Sequence, residues 1–100
     1  MGAITQGVRV MPNADGWLEA AEINKPATYG RATNAKAAGG RSGWWQITAP
    51  DGCVGSLNPS VHQIDEHEDG TITVSPSLDY SKNKSGGWHG WLRRGVFESV

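Results

Sequence analysis

The stretch "VHQIDEHEDGTITVSPSL", Val61 to Leu78, decides the fold class, because it carries the clearest hairpin signal in the chain. Asp69-Gly70 marks a turn, and aliphatic and polar residues alternate on both sides of it. Burial then argues the register. A two-residue loop at Asp69-Gly70 would set Ile64 on the face opposite Ile72 and Val74. A three-residue loop, Glu68-Asp69-Gly70 with Gly70 left-handed, pairs Glu66 with Ile72 and Ile64 with Val74, so all three aliphatics share a face. The longer loop is the expected one. Pro76 ends the ladder or places it at an edge, since proline has no N–H to donate.

Upstream, "GWWQIT", Gly43 to Thr48, is aromatic and β-branched between a glycine and a proline, hence a strand. "PDG", Pro50 to Gly52, turns the chain, Val54 to Leu57 runs back, and "NPS", Asn58 to Ser60, turns it again. Downstream, "DYSKNKSGG", Asp79 to Gly87, is a polar excursion. It leads to "GGWHGWLRRGVF", Gly86 to Phe97, a second hairpin. With Arg93-Arg94-Gly95 as its loop, Leu92 faces Val96, Trp91 faces Phe97 and His89 faces Ser99. Trp91 and Phe97 then form an aromatic cross-strand pair, with Trp88, Leu92 and Val96 on the other face. Such a pattern states which residues share a face, not which face is inside. Trp91 and Phe97, the larger apolar pair, are assigned to the core.

The first half is less legible. Ile4, Val8 and Val10 suit a short strand interrupted by Gly7 and ended by Pro12, and "NADG", Asn13 to Gly16, reads as a turn. "WLEAAEI", Trp17 to Ile23, is ambiguous. Trp17, Ala20, Ala21 and Ile23 would stripe a two-turn helix, closed by Pro26. Lys25 to Ser42 has Tyr29 as its one aromatic and little apolar surface to offset ordering. It is either a plain surface loop or an arm that orders against a partner. The resulting expectation is one domain over residues 1–100, with 25–42 as loop or arm and 43–100 as hairpin core. Its class is mostly β, a small antiparallel domain of about five to seven short strands with two Gly-turn hairpins and at most one short helix.

The composition suits this. Fourteen glycines and five prolines favour tight turns. Five tryptophans help a thin core, because each aromatic buries on the order of 150–250 Å². A formal charge of −1 gives no electrostatic footprint for nucleic acid. Arg93 and Arg94 make a local basic spot, read first as a solvated hairpin tip. No run approaches the roughly 18 apolar residues of a membrane span, and "MGAITQGVRVMPNADGW" lacks a signal-peptide pattern. One cysteine, Cys53, allows no intrachain disulfide. A soluble protein of the cytoplasm is expected.

Three histidines, Cys53 and the carboxylates Asp65, Glu66, Glu68 and Asp69 invite a metal or acid–base reading. A structural zinc needs four ligands, two of them normally from a tight pair, but Ala49 stands where a partner for Cys53 would be. His62 and His67, five apart on a strand, would lie on opposite faces. A Cys53–His89 nucleophile pair lacks an orienting third group. Neither a metal, a cofactor nor catalytic residues are expected, and the chain is read as not an enzyme.

At "PDGC", "SPSL" and "WHGWLRRG" the sequence resembles a family of small uncharacterised proteins widespread in tailed bacteriophages, prophages and bacterial mobile elements, some of them mislabelled as ammonia monooxygenases. The likeness runs from about Gly43 to Glu98. Family members with a full set of cysteines look like zinc-ribbon β-domains, whereas here Ala49 and Trp88 replace cysteines and only Cys53 and His89 remain. The resemblance implies a metal-free version held by packing, with Trp88 filling space near the lost site. It also implies phage origin. The expected function is a non-enzymatic accessory protein that binds and blocks a host protein, such as an antiviral defence component, in the host cytoplasm. The alternative is a virion structural protein, in the capsid or tail. The residues expected to meet that host or phage protein are Trp88, Arg93, Arg94 and Tyr29, with a homo-oligomer as the other form of association and neither nucleic acid nor membrane as partner.

Overall fold

A computed structural model describes residues 3–34, 44–79 and 87–100. Mostly β is what it shows, with one short helix. In chain order the elements are β1 (Ile4–Gln6), β2 (Val8–Val10), α1 (Ala20–Ile23), β3 (Thr28–Arg31), β4 (Trp45–Thr48), β5 (Val54–Leu57), β6 (Gln63–Glu66), β7 (Ile72–Asp79), β8 (His89–Arg93) and β9 (Val96–Ser99). They form a five-stranded sheet, β1-β9-β8-β7-β6, and a four-stranded sheet, β2-β3-β4-β5. Every strand pair is antiparallel except β2 with β3. Among the described residues there are nine strands. The count exceeds the expected five to seven because the N-terminal strand splits in two at Gly7 and Thr28–Arg31 adds another.

The hairpin that decided the class has the argued register. Glu66 pairs with Ile72 and Ile64 with Val74. His67 and Thr71 close the loop (His67 N–H to Thr71 O, 2.8 Å), and Gly70, at φ 87°, is left-handed. Ile72 and Val74 are buried and Ile64 packs against them. Pro76 does end the pairing of β7 with β6, whose last rung is Gln63–Ser75. The strand itself continues to Asp79, with a shift of register against β8 between Val74 and Leu78. A bulge at the missing N–H lets β7 remain an inner strand.

The last hairpin differs by one residue. Arg93 pairs with Val96, Leu92 with Phe97, Trp91 with Glu98 and Gly90 with Ser99. Its loop is therefore Arg94-Gly95, with both residues at positive φ (47° and 77°), as a type I′ turn requires. Holding a non-glycine residue in the left-handed region costs about 1–2 kcal/mol. Burying a phenylalanine beside Leu92 returns about 1.5–3 kcal/mol, and that slip is what brings Phe97 inside. The expected core assignment is thus corrected. Phe97, Leu92 and the partly buried Trp88 face the core, and Trp91 faces out.

One core serves both sheets: Tyr29, Trp45, Ile47 and Leu57 from the smaller, and Ile72, Val74, Leu78, Leu92 and Phe97 from the larger. The chain passes from one sheet to the other at Gly7. A Cβ there would lie 2.5 Å from Gly95 O and 2.9 Å from the Phe97 ring, so no side chain fits at this corner. The reading of 25–42 as loop or arm is corrected over Thr28–Arg31, a strand whose Tyr29 is 2% exposed. Residues 35–42 lie outside the described part, as does most of the excursion at 80–86. The helix is one turn, and of the expected stripe only Ile23 is buried; Trp17, Ala20 and Ala21 are exposed. Thr28 and Thr48 both donate their hydroxyls to Ile23 O, which ties the end of α1 to the outer face of the smaller sheet.

Candidate interaction surface

The two sheets differ in what lies outside them. The segment around α1 covers part of the smaller sheet, with α1 against β3 and β4. Among the described residues no helix or strand crosses the outer face of the larger one. The pairings place side chains on that face in rows. Ile4, Glu98 and Trp91 run across β1, β9 and β8, and Gln6, Val96 and Arg93 form the next row. Ile4 is 69% exposed. The Arg93 guanidinium sits 4.9 Å from the centre of the Trp91 ring and 3.5 Å from Glu98 Oε1. An aromatic ring, a stacked cation, a carboxylate and two aliphatics thus share one surface.

The residues expected to meet a partner fall into two groups. Arg93 and Arg94 are exposed, Arg93 on this face and Arg94 at its end. Tyr29 and Trp88 are corrections. Tyr29 is core, its ring 6.5 Å from that of Phe97, and burial raises its phenolic pKa despite the nearby Arg9. Trp88 meets Phe97 edge to face at 5.8 Å, on the inner side. Trp91, opposite Glu98, has the outward orientation expected of Trp88. The signal for it was available: a one-residue slip in a hairpin that is apolar on both faces exchanges which aromatic is inside.

Nor is the tip of the last hairpin merely solvated. Arg94 N–H donates to Thr73 Oγ1 (3.0 Å), which is also 2.7 Å from His67 Nε2. Gly95 N–H donates to Ile72 O (3.0 Å), and Gly95 O accepts from Gly7 N–H (2.8 Å). The tips of both large hairpins are therefore locked together. Between them Glu66, His67, Glu68, Asp69 and Arg94 line a cleft of about 510 Å³. Asp69 Oδ1 accepts from the Thr71 hydroxyl and N–H, and these bonds hold its carboxyl below the usual range.

Beside the cleft lies a cluster that sequence reading missed. Arg9 and Arg31 place their guanidinium carbons 5.0 and 5.2 Å from the buried Trp45 ring, and both reach Glu66, Arg9 at 2.8 Å and Arg31 at 3.6 Å. Arg9 also donates to Gly70 O (2.9 Å). The Arg9 hydrogen bond depresses the Glu66 pKa. Glu66 belongs to one sheet and both arginines to the other, so the cluster clamps the sandwich at its rim.

At the remnant of the expected knuckle, Ala49 N–H donates to Cys53 O (2.8 Å) and Gly52 N–H to Ala49 O (2.9 Å), around the predicted Pro50–Gly52 turn. Cys53 is buried, and its thiol lies 3.1 Å from Asp51 Oδ2. His89 is exposed on the other sheet, its Nε2 3.4 Å from Ser77 Oγ. His62 precedes β6 and His67 follows it, so the two do not share a strand. Among the described residues no group of three or more His, Cys, Asp or Glu is arranged to hold a metal, and no helix is long and apolar enough to cross a membrane. Compared with known proteins, the chain matches no family model, no curated protein and no solved structure.

Proposed function

We propose that this chain is a non-enzymatic phage accessory protein that binds a host protein in the host cytoplasm and blocks it, using the outer face of the larger sheet. The observation that carries the reading is the Trp91–Arg93 stack on a face that no described helix or strand covers, flanked by Ile4, Val96 and Glu98. Tryptophan and arginine are the residue types enriched at binding hot spots, where a few anchors carry most of the affinity. Phage origin draws its support from the likeness of "SPSL" and "WHGWLRRG" to the phage family, and the blocking role from the small size of the domain.

The test is affinity capture from a lysate of the host bacterium, run in parallel with Trp91→Ala and Arg93→Glu. Each variant is first checked for a native circular-dichroism spectrum. A captured host protein that the folded variants lose at least about fivefold supports the reading, since a hot-spot truncation costs more than about 1 kcal/mol. Capture that both variants leave unchanged would overturn it. Recovery of the chain as a stoichiometric part of purified virions would put the structural role in its place.

A further inference from the structure

β1 stands at the edge of the larger sheet, and among the described residues no strand pairs with its outer side. In an antiparallel pair, alternate residues turn their N–H and C=O toward the neighbouring strand and the residues between turn them away. Ser99 N–H donates to Ala3 O (2.9 Å) and Gly7 N–H to Gly95 O (2.8 Å), with Thr5 opposite Phe97 between them. Ala3, Thr5 and Gly7 therefore bond toward β9. Ile4 and Gln6 direct their backbone groups to the other side, where no described strand pairs with them.

Unpaired edges invite pairing, and proteins usually protect them with charge, proline or cover. The two edges of this sheet differ in that respect. β6 carries Asp65 and Glu66, both exposed. β1 carries no charge at all, and its Ile4 is 69% exposed. β1 is also self-complementary. If two copies run antiparallel with Thr5 opposite Thr5, Ile4 stands opposite Gln6 of the second copy. These are the residues whose backbone groups point outward. A formal charge of −1 per chain leaves little repulsion between copies.

We infer that the chain forms a two-fold dimer by antiparallel pairing of β1 with β1 of a second copy, centred on Thr5. Ile4 N–H donates to Gln6 C=O of the second copy and Gln6 N–H to its Ile4 C=O, and the two-fold axis repeats both bonds. Side chains on the outer rows continue across the seam, so the dimer presents two Trp91–Arg93 faces on one continuous sheet. The inference is independent of what those faces bind.

The phase of the ladder supplies the test. Gln6→Pro removes an N–H that the monomer does not use, whereas proline at Thr5 would remove one that bonds toward β9. Sedimentation equilibrium of the wild-type chain should give twice the 10.7 kDa chain mass. Gln6→Pro should give the single-chain mass with an unchanged circular-dichroism spectrum. Ile4→Lys, which sets like charges across the seam, should do the same and stands in if Gln6→Pro fails to fold. Hydrogen exchange at the Ile4 and Gln6 amides should slow as wild-type concentration rises, while exchange at Asp65 stays constant. A wild-type chain that sediments at single-chain mass overturns the inference. So does a dimer that survives in the folded variants.

Discussion

Trp91 and Phe97 are neighbours on the last hairpin, both large and aromatic, and truncating each to alanine separates the two ways of folding it. Phe97 is fully buried, between Tyr29 at 6.5 Å and Trp88 at 5.8 Å. Removing its ring leaves a cavity lined by both sheets, at about 3–5 kcal/mol for a buried phenylalanine. Trp91 loses a cross-strand contact with Glu98, about 0.2–1 kcal/mol, and the stacked Arg93, about 0.5–1 kcal/mol. Phe97→Ala should therefore exceed Trp91→Ala by about 1–4 kcal/mol. A domain of this size shifts by roughly 4–8 °C per kcal/mol, so melting temperatures should separate by at least about 4 °C. Urea unfolding followed by circular dichroism gives the same comparison as free energies, provided the slopes agree. If Phe97→Ala and Trp91→Ala cost the same, both rings are core and the one-residue slip is wrong. If Trp91→Ala costs more, the face assignment is inverted.

Three further predictions concern the frame. Gly7→Ala should destabilise by about 1–3 kcal/mol through overpacking, since its Cβ would meet Gly95 O and the Phe97 ring; a urea midpoint equal to wild type would mean that the corner can open. Glu66 and Asp69 have depressed carboxyl pKa values, Glu66 chiefly through Arg9 and Asp69 through Thr71. Below the unfolded carboxylate range the unfolded state binds more protons, so their contribution is present above about pH 4.5 and is lost as pH falls. Melting temperature should drop over that interval, and Glu66→Gln should flatten the drop; an unaltered slope would remove Arg9–Glu66 as its cause. Cys53→Ala should cost about 1–2 kcal/mol, as for a small buried residue, and purified protein should hold far less than one zinc per chain. Near-stoichiometric zinc by elemental analysis, or unfolding by a chelator, would restore the metal of the resembling family.

The two hairpins show what made one register readable and the other not. Between Val61 and Leu78 the aliphatics suffice for only one face, so a single loop length satisfies burial, and β6–β7 adopts it. Between Trp88 and Phe97 apolar residues occupy both faces, and either loop length buries something large. The choice then rests on terms that local pattern does not contain. One is the corner at Gly7, which closes on Gly95 O; another is Tyr29, whose hydroxyl lies 2.7 Å from where a Gly95 Cβ would stand. Both come from the first third of the chain. Tyr29 itself was misread because its neighbours are polar, although a strand flanked by β2 and β4 needs few apolar residues of its own to be buried.

The rim cluster was half legible. Pairing Glu66 with Ile72 puts a carboxylate on the face that carries Ile64, Ile72 and Val74, which conflicts with a purely apolar core. The carboxylate stands at the rim with its side chain 42% exposed, so water solvates it in part and a cation from the opposite layer adds to that stabilisation. Arg9 is the nearer of two such cations. It pairs with Tyr29 across β2 and β3 and so points inward from the smaller sheet. Its side chain keeps only 17% exposure, lies over Trp45 and reaches Glu66, fifty-seven residues along the chain. The register of one hairpin therefore sets Glu66 where a half-buried cation of the other sheet can reach it. What sequence alone withheld was the parallel pairing of β2 with β3, which turns Arg9 inward beside Arg31 and so decides that these two of the nine basic residues reach Glu66.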